Sequence, residues 1–490
     1  MSGEWLILGA VGLPLLASLL IWLTGGSPNQ RETVTLAAAV TLFVIVGSML
    51  PLQLAGAPLR VELLSPVPGV AIAFEVEPLG MTFACVASFL WIVNSVFSIG
   101  YMRGNDEPRQ TRFYVCFAIA LGSTMGLAFA ENLFTLFLCY ESLTLSTYPL
   151  VTHHKNDEAR RSGRTYLALL LGTSVVLLLP AIIATWVLTG SLSFEAGGIM
   201  AGKVSPLVGG ILLLVFMYGI GKAALMPMHR WLPAAMVAPT PVSALLHAVA
   251  VVKAGVFTVV KVTVYIFGLD YLRELATADL VLYLAGFTII TASVIALRQD
   301  NLKRRLAYST VSQLSYVILA ALILSPLSTM GALLHIAVHA FGKITLFMAA
   351  GAIYTAAHKT EVSQLAGIGR RMPWTMGAFA VGALSMIGVP PAAGFLSKWY
   401  MLLGALQVEQ FFAVAVIVVS TLLNAAYFLP IVHAAFLKPE ASGGQEPTGP
   451  GHGEAPLPIV LALVTTAAGT LLLFLFPGPA LELANMLVGR

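Results

Sequence analysis

The chain has 490 residues, of which 58% are hydrophobic and only 10% are charged, and its mean hydropathy is +0.90. Soluble proteins carry about 25% charged residues, so this composition argues against a water-soluble enzyme and indicates a protein that lies in the lipid bilayer. The formal net charge of +4 gives no support to nucleic-acid binding.

Long apolar stretches recur along the whole chain and predict about 14 transmembrane helices. We place these spans near residues 5–24, 34–55, 79–101, 112–130, 132–151, 165–189, 208–226, 241–267, 279–297, 306–325, 329–356, 374–402, 411–437 and 456–476. The first stretch has no basic region before it, so we interpret it as a retained helix and not as a cleaved signal. Because lipid cannot hydrogen-bond a backbone, we expect an all-α polytopic membrane protein.

Basic residues segregate between alternate loops. Seventeen Lys and Arg residues fall in the odd-numbered loops between these spans, and four fall in the even-numbered loops and the termini. Cytoplasmic loops carry an excess of Lys and Arg, so the count predicts odd-numbered loops in the cytoplasm and both termini outside the cell membrane. The Gly/Pro-rich composition of the stretch from Lys438 to Pro458 predicts a mobile cytoplasmic loop.

A few charged residues lie inside the predicted spans. The only carboxylate well inside one is Glu141, and the lysines are Lys222, Lys253, Lys261, Lys343 and Lys398. Lys261 lies near a helix end, where its side chain can reach the interface or form a static ion pair. A Lys or Asp at mid-bilayer costs about 2.5 to 3.5 kcal/mol, and one glutamate cannot neutralise the four deep lysines, which therefore indicate a proton path.

Histidines extend this path, because imidazole both donates and accepts protons near neutral pH. His247, His335 and His339 lie within spans, and His335, His339 and Lys343 recur every four residues, which places them on one helix face. A metal site is the alternative for two histidines four residues apart, but the nearby lysine and the lack of a carboxylate ligand favour the proton path.

Glycine and proline residues interrupt the seventh and twelfth spans. Lys222 accompanies the first interruption and Lys398 accompanies the second, 176 residues later. Broken membrane helices commonly build transport sites, and this spacing suggests two inverted copies of a five-helix unit. The sequence contains no nucleotide fingerprint, and its cysteines lack the spacing of iron–sulfur or zinc ligands. We therefore expect no metal and no cofactor in this chain.

Several segments resemble one family closely. The run from Met226 to His247, Tyr140-Glu141, the segment from Leu302 to Thr310, the segment from His335 to Lys343, and the region of Lys398 resemble antiporter-like subunits. That superfamily includes proton-pumping membrane subunits of respiratory complex I, related membrane hydrogenases and the large subunits of Mrp sodium/proton antiporters. These segments cover most of spans four to twelve.

The resemblance implies a 14-helix core and a role for each buried group. N-terminal helices would occupy residues 1–111, the two inverted repeats 112–270 and 271–437, and the cytoplasmic loop with a last helix 438–490. Glu141 and Lys222 would form the coupled pair of the first half-channel, and Lys398 would be the exit site. The central polar axis would consist of His247, Lys253, His335, His339 and Lys343.

Glu141 together with Lys398 on a bare core looks most like the D-type member of the Mrp antiporters. The resemblance therefore implies a protein that moves protons in exchange for Na⁺ or another monovalent cation, with other membrane subunits as partners. The alternative is a pump component of NADH-quinone oxidoreductase (complex I) or of a hydrogenase, where partner proteins would hold every redox centre. A purely structural scaffold is a third possibility, which the cost of the buried charges disfavours.

Overall fold

The computed structural model describes residues 3–439 and 453–489, and helices dominate it. In the first third of the chain, the helices are α1 (Gly3–Leu23), α2 (Pro28–Leu54), α3 (Pro78–Gly104), α4 (Gln110–Ala128), α5 (Leu133–Val151), α6 (Asp157–Thr173) and α7 (Leu179–Thr189). The middle contains α8 (Pro206–Gly219), α9 (Trp231–Ala234), α10 (Thr240–Ala244), α11 (Val251–Lys261), α12 (Leu269–Arg273), α13 (Ala276–Arg298), α14 (Leu302–Leu322) and α15 (Pro326–Ala357). The last part contains α16 (Ile368–Arg371), α17 (Pro373–Ile387), α18 (Gly394–Gln407), α19 (Phe411–Leu437), α20 (Leu457–Leu475) and α21 (Gly478–Leu487).

Many of these helices can cross a membrane. Within the described residues, 10 helical stretches are long and apolar enough to do so, and α8 and α17 are shorter apolar helices. Two of the ten, Asp157–Thr189 and Thr240–Phe267, each run through more than one of the labelled helices. Large apolar side chains such as Trp5, Val187 and Leu207 lie 66 to 76% exposed, as expected for a surface that faces lipid. The helical membrane architecture is confirmed, whereas the number of 14 spans stays a prediction.

The two predicted helix breaks are present. The seventh span stops at Gly219, and short 3₁₀ turns follow at Gly221–Ala223, Met228–Arg230 and Ala235–Val237. The twelfth span stops at Ile387 and resumes at Gly394. Each break leaves the last carbonyls of α8 or α17 without partners inside the helix, so other groups must satisfy them.

Other spans change their helical hydrogen-bonding pattern without stopping. A π-helical segment at Ser174–Leu178 joins α6 to α7, and another at Leu245–Val249 joins α10 to α11. Such segments shift the helix face and are frequent at functional sites. The second one contains His247.

A β-hairpin follows α2 and was absent from the sequence-based prediction. Strand β1 (Arg60–Val67) pairs with the antiparallel strand β2 (Val70–Glu75), and Glu75 N–H continues the pairing to Phe129 O at 2.7 Å. The hairpin lies in a loop between spans, where water can satisfy the unpaired strand edge. It therefore leaves the helical membrane architecture unchanged.

Matching contacts recur in the two halves of the core. Ser123 and Ser142 pair their hydroxyls at 2.8 Å between α4 and α5, and Ser293 and Ser312 do so at 3.0 Å between α13 and α14. The side chain of Asn132 caps α5 through the N–H of residue 135, and that of Asn301 caps α14 through the N–H of residue 304. These equivalent pairs support the two inverted repeats, while the domain boundaries at 112, 271 and 438 stay predictions.

The loops gather at two ends of the bundle. At one end, Asn105 Nδ2 donates to Thr355 Oγ1 at 2.9 Å, and Lys303 Nζ donates to Ala238 O at 2.6 Å. We call this end, formed by residues 105–109, 152–156, 235–239, 299–301 and 358–361, the odd-loop face. At the other end, which we call the even-loop face, Arg60 pairs with Glu131 at 3.0 Å.

Candidate functional site

Lys222 lies in the break that follows α8, and its side chain is completely buried. The ammonium donates to Tyr140 O at 2.8 Å and to Thr144 Oγ1 at 2.6 Å, both on α5. The backbone N–H of Lys222 donates to the Tyr140 hydroxyl at 3.1 Å. Because α8 has stopped, the 3₁₀ turn can present both the backbone and the side chain of Lys222 to the same neighbouring helix.

Glu141 does not make a direct contact with Lys222, the residue with which the resemblance couples it. Both carboxylate oxygens are buried and make no hydrogen bond to another group in the described part of the chain. The ion pairs of the described residues, which extend to 4.0 Å, do not include one between Glu141 and Lys222. Any coupling between the two groups therefore acts through space or through Tyr140 and Thr144, because α5 supplies the direct ligands of Lys222 through these two residues.

The shortest contact between two ionisable side chains of the predicted axis joins Lys253 of α11 to His339 of α15. Lys253 Nζ lies 2.7 Å from His339 Nδ1, and each residue is only 1% exposed. An ammonium and an imidazolium at this distance repel each other, so the pair favours holding one proton between its two basic groups. This contact joins the two halves of the core.

His335 lies one turn before His339 on α15. Its Nδ1 is 2.9 Å from Ser397 Oγ, in the turn that begins α18, and its ring stacks on Tyr316 with centroids 5.8 Å apart. The two histidine rings are 5.9 Å apart. The helix face predicted for these residues therefore contacts α11 at His339 and α18 at His335.

Lys343 completes this face of α15 and contacts a third helix. Its ammonium donates to Ser309 Oγ at 2.6 Å and to Leu306 O at 3.3 Å, both on α14. Ser309 also pairs with the Tyr427 hydroxyl at 2.9 Å. The three ionisable residues of α15 thus reach α18, α11 and α14 in turn.

Lys398 satisfies the end of the second broken helix. Its ammonium donates to Met386 O at 3.0 Å and to Ile387 O at 2.9 Å, which are the last carbonyls of α17. It also lies over the Tyr316 ring at 4.8 Å from the centroid. A cation at a helix C-terminus is stabilised by the helix dipole, and this interaction favours the charged form of Lys398.

His247 makes no hydrogen bond to the other ionisable groups of the site within the described residues. The side chain is completely buried, and neither ring nitrogen hydrogen-bonds to a group in the described residues. Its ring packs against Phe347 with centroids 4.5 Å apart. His247 therefore has no direct link to Lys253, and a proton would need bridging water to pass between them.

Lys261 forms the kind of ion pair expected for a residue at a helix end. Its ammonium lies 3.3 Å from Glu77 Oε1 and donates to Ala130 O at 2.6 Å. Glu77 also caps α3 by accepting from the N–H groups of Leu79 and Gly80, and it accepts from the Tyr265 hydroxyl at 2.7 Å. These shared contacts hold α3 to α11 at the even-loop face.

Sequence reasoning missed the neutral side chains that link the charged ones. Thr144, Ser309, Ser397 and Tyr316 each contact an ionisable group of the site, yet none was predicted. A partial signal existed, because Ser309 and Ser397 lie inside or beside the segments that resemble the family. Hydroxyl residues are common in membrane helices, however, and only the packing of helices selects these four.

The family comparison agrees with this geometry. Residues 130–424 match the family model described as "NADH:quinone oxidoreductase/Mrp antiporter, TM". NADH-quinone oxidoreductase subunit N of Desulforudis audaxviator is 32% identical over 468 residues, which cover 92% of this chain and 91% of that protein. A probable K⁺/H⁺ antiporter component of Rhizobium meliloti, of the A/B type, is 31% identical over 78% of this chain and 37% of its own length.

Solved structures share the fold over nearly the whole chain. A chain of the Mrp complex from Dietzia sp. DQ12-45-1b superposes with a TM-score of 0.88 at 22% identity, covering 100% of this chain and 97% of that one. A chain of an archaeal membrane-bound sulfane sulfur reductase superposes with a TM-score of 0.84, also at 22% identity, covering 98% and 96%.

The family match, the relatives and the two broken helices with their buried lysines agree on one assignment. The chain belongs to the NADH:quinone oxidoreductase/Mrp antiporter membrane family and is a proton-translocating, antiporter-like subunit of the complex I, Mrp and hydrogenase superfamily.

Proposed function

We propose that this chain is the proton-carrying component of a multisubunit monovalent cation/proton antiporter of the Mrp class, of the D type. The observation that carries the proton path is the buried contact of 2.7 Å between Lys253 and His339, which joins the two halves of the core. Burying a lysine inside a membrane protein costs free energy, and a proton path confined to one half would not need this contact between the halves. The combination of Glu141 with Lys398 supports the Mrp branch, because it is the combination that resembles the D-type member.

In this scheme a proton is held near Lys222 and reaches Lys253 and His339 in the centre of the bundle. His335 and Lys343 receive charge from that centre, and Lys398 releases the proton at the second broken helix. Glu141 acts by setting the field at Lys222, with Tyr140 and Thr144 in contact with the ammonium. His247 joins the path through water. The exchanged cation would be Na⁺ or another monovalent cation handled with neighbouring subunits.

We also propose that the odd-loop face is cytoplasmic and that both termini lie outside the cell membrane. This orientation is supported by the 17 basic residues of the odd-numbered loops, against four in the even-numbered loops and termini. Protease or thiol-reagent accessibility in sealed vesicles of known orientation tests it. Modification of a Lys359→Cys variant from outside the cell would overturn the assignment.

The experiment that tests the transport role uses Lys222→Ala and Glu141→Ala in the assembled complex. Proton-coupled cation exchange in proteoliposomes should fall to background in both variants, while Lys203→Ala, at an exposed loop lysine, should behave like the unmodified protein. Exchange at normal rates in either of the first two variants would refute the scheme.

A second candidate is a pump subunit of an NADH-quinone oxidoreductase. The specific support is the relative named subunit N, which matches 92% of this chain and nearly its own full length. The proton path would then be driven by redox partner subunits. Copurification of flavin and iron–sulfur subunits with NADH-dependent activity would favour this candidate. Growth of a sodium-sensitive strain restored by the complete gene cluster would favour antiport.

A further inference from the structure

A cavity lined by both apolar and charged side chains lies at the odd-loop face, outside the chain of buried groups described above. It has a volume of about 230 Å³. Its lining includes Tyr101, Glu107, His154, Thr240, Lys303 and Lys359. One water occupies about 30 Å³ of liquid, so the cavity accommodates several water molecules. Thr240 is the first residue of α10, and the cavity therefore reaches the start of the segment that contains His247 and Lys253.

Beyond Thr240, buried polar atoms without protein partners continue toward His247. Within the described residues, Ser243 Oγ, Asn94 Oδ1 and both ring nitrogens of His247 make no hydrogen bond to a protein group, and all three residues are 0% exposed. Thr240 and Ser243 follow the three-residue spacing that places side chains on one face of α10, and His247 lies four residues further on, in the π-helical segment. Asn94 of α3 lies beside them, because its Nδ2 donates to Pro241 O at 3.4 Å.

An unpartnered buried polar group costs about 1 to 3 kcal/mol, and native proteins leave few such groups without a protein or water partner. Four unpartnered atoms, on α3 and on the segment that begins at Thr240, therefore mark positions for bound water. Between the cavity and His247, water would satisfy each of these atoms and would also supply a file along which protons can pass.

Glu107 is the carboxylate of this cavity, and its side chain is only 9% exposed. His153 Nε2 lies 3.6 Å from Glu107 Oε2, and His154 Nδ1 lies 3.8 Å from the same oxygen. The other charged or titratable groups near it are Tyr101, Arg109, Arg112, Lys303, Tyr354 and Lys359. Burial raises the pKa of Glu107 above its ordinary carboxyl value, and the Lys303 ammonium acts in the opposite direction.

We propose that Glu107, Ser243 and Asn94 form a hydrated access route for protons from the odd-loop face to His247. Glu107 receives the proton in the cavity, whereas Asn94 and Ser243 are positioning residues that hold the intervening water. The route rests on the proposed proton-carrying function and deepens it, because it gives the central axis its own access in addition to Glu141 and Lys222. It also accounts for a completely buried histidine whose ring nitrogens make no hydrogen bond within the described part of the protein.

The first test asks whether the route admits a small ion from one side only. In the assembled complex, with Cys85, Cys116 and Cys139 replaced by Ala, Ser243→Cys should react with Ag⁺ added at the odd-loop face and not at the even-loop face. Val242→Cys, at an equally buried neighbouring position, should stay unreactive from both sides. Adding Asn94→Leu to Ser243→Cys should slow the reaction about tenfold or more. A Ser243→Cys protein that is inert from both faces would overturn the route.

The second test varies the pH of one face at a time in proteoliposomes. Glu107→Gln should slow transport about tenfold or more when protons are scarce at the odd-loop face, since a proton-transferring side chain contributes about 100-fold or more. The transport rate of the Glu107→Gln variant should depend on the pH at the even-loop face as it does in the unmodified protein. A general folding defect would change the rate under both conditions. Glu158→Gln, at an exposed carboxylate in the first turn of α6, is the matched control.

The outcomes separate this route from the proposed function. If Lys222→Ala abolishes exchange but Glu107→Gln keeps the unmodified response at both faces, the access route is wrong and the proton-carrying function stands. If Lys222→Ala and Glu141→Ala exchange normally, the proposed function itself fails, whatever the reactivity of Ser243→Cys.

Discussion

Lys253 and His339 share the shortest contact between two ionisable side chains of the site, 2.7 Å between Nζ and Nδ1, and each comes from a different half of the core. Burial of both groups means that solvent screens their repulsion little. A proton bound by Lys253 therefore disfavours a second proton on His339, and the reverse, so this contact can couple the two halves of the core.

The first prediction concerns this pair as a unit. Lys253→Met and His339→Gln should each lower proton-coupled transport about 100-fold or more, because each removes one proton acceptor from the relay. The double variant should lose no more than the worse single variant, since residues that act together are strongly non-additive. Transport rates of the four proteins in proteoliposomes check this. Additive losses would show that the two residues work independently.

The second prediction concerns the hydroxyl ligand of Lys222. Thr144→Val keeps the side-chain shape but removes the hydrogen bond of 2.6 Å to the ammonium. Hydrogen bonds to charged groups contribute about 1.5 to 3 kcal/mol, so transport should fall about tenfold to hundredfold. Thr144→Ser keeps the hydroxyl and should retain most of the rate. Equal rates in the valine and serine variants would contradict a role for this hydroxyl.

The third prediction applies the same reasoning to Lys343. Ser309→Ala removes the acceptor 2.6 Å from its ammonium, leaving Leu306 O at 3.3 Å as the remaining partner. We expect slower transport with normal assembly, measured as rate per copurified complex. Ser315→Ala on the same helix removes a hydroxyl that donates to Val311 O and is the matched control. Loss of assembly in Ser309→Ala but not in Ser315→Ala would point to a structural role.

The fourth prediction concerns the packing behind the first broken helix. A Cβ atom at Gly255 of α11 would lie 2.3 Å from the backbone atoms Lys222 C and Ala223 N. Gly255→Ala should therefore displace the Lys222 turn and lower the free energy of unfolding by about 1 to 3 kcal/mol. At Gly377 of α17 nothing in the described residues lies within 4 Å, so Gly377→Ala should be neutral or stabilising. Thermal unfolding of the detergent-solubilised proteins compares the two.

The fifth prediction is a pH dependence of stability at the odd-loop face. Burial lowers the pKa of His153 to about 4, with the positive charges of His154 and Arg112 acting in the same direction. The unfolded chain, with an ordinary histidine pKa near 6.5, binds this proton more readily, so stability is retained above pH 6.5 and decreases as the pH falls toward 4.

His153→Asn should reduce this acid sensitivity, to which the native side chain can contribute no more than about 1.4 kcal/mol per pH unit. Unfolding midpoints of both proteins between about pH 7.5 and 5, on either side of the ordinary histidine pKa, measure the difference. His358→Asn, at an exposed position of the same face, is the control for replacing a histidine there. An unchanged slope in His153→Asn would show that His153 does not carry the effect.

Much of the helical framework followed from the sequence. The apolar runs predicted where helices lie, and Gly219 and Gly388 mark the ends of α8 and α17. The four-residue spacing of His335, His339 and Lys343 follows the period of the α-helix, and all three lie within α15. The β-hairpin after α2 escaped prediction, because its strands form in a loop where hydropathy gives no strong signal.

The amino-acid sequence by itself determined the membrane class, the helix breaks and the identity of the buried ionisable groups. Hydropathy and helical periodicity are local properties, and a charge inside an apolar run is visible without any tertiary contact. Only the tertiary structure decided that Lys253 meets His339 and that Lys222 contacts Tyr140 and Thr144 in place of Glu141. These partners lie 78 or more residues apart, and helix packing, not sequence spacing, sets which of them come within hydrogen-bonding distance.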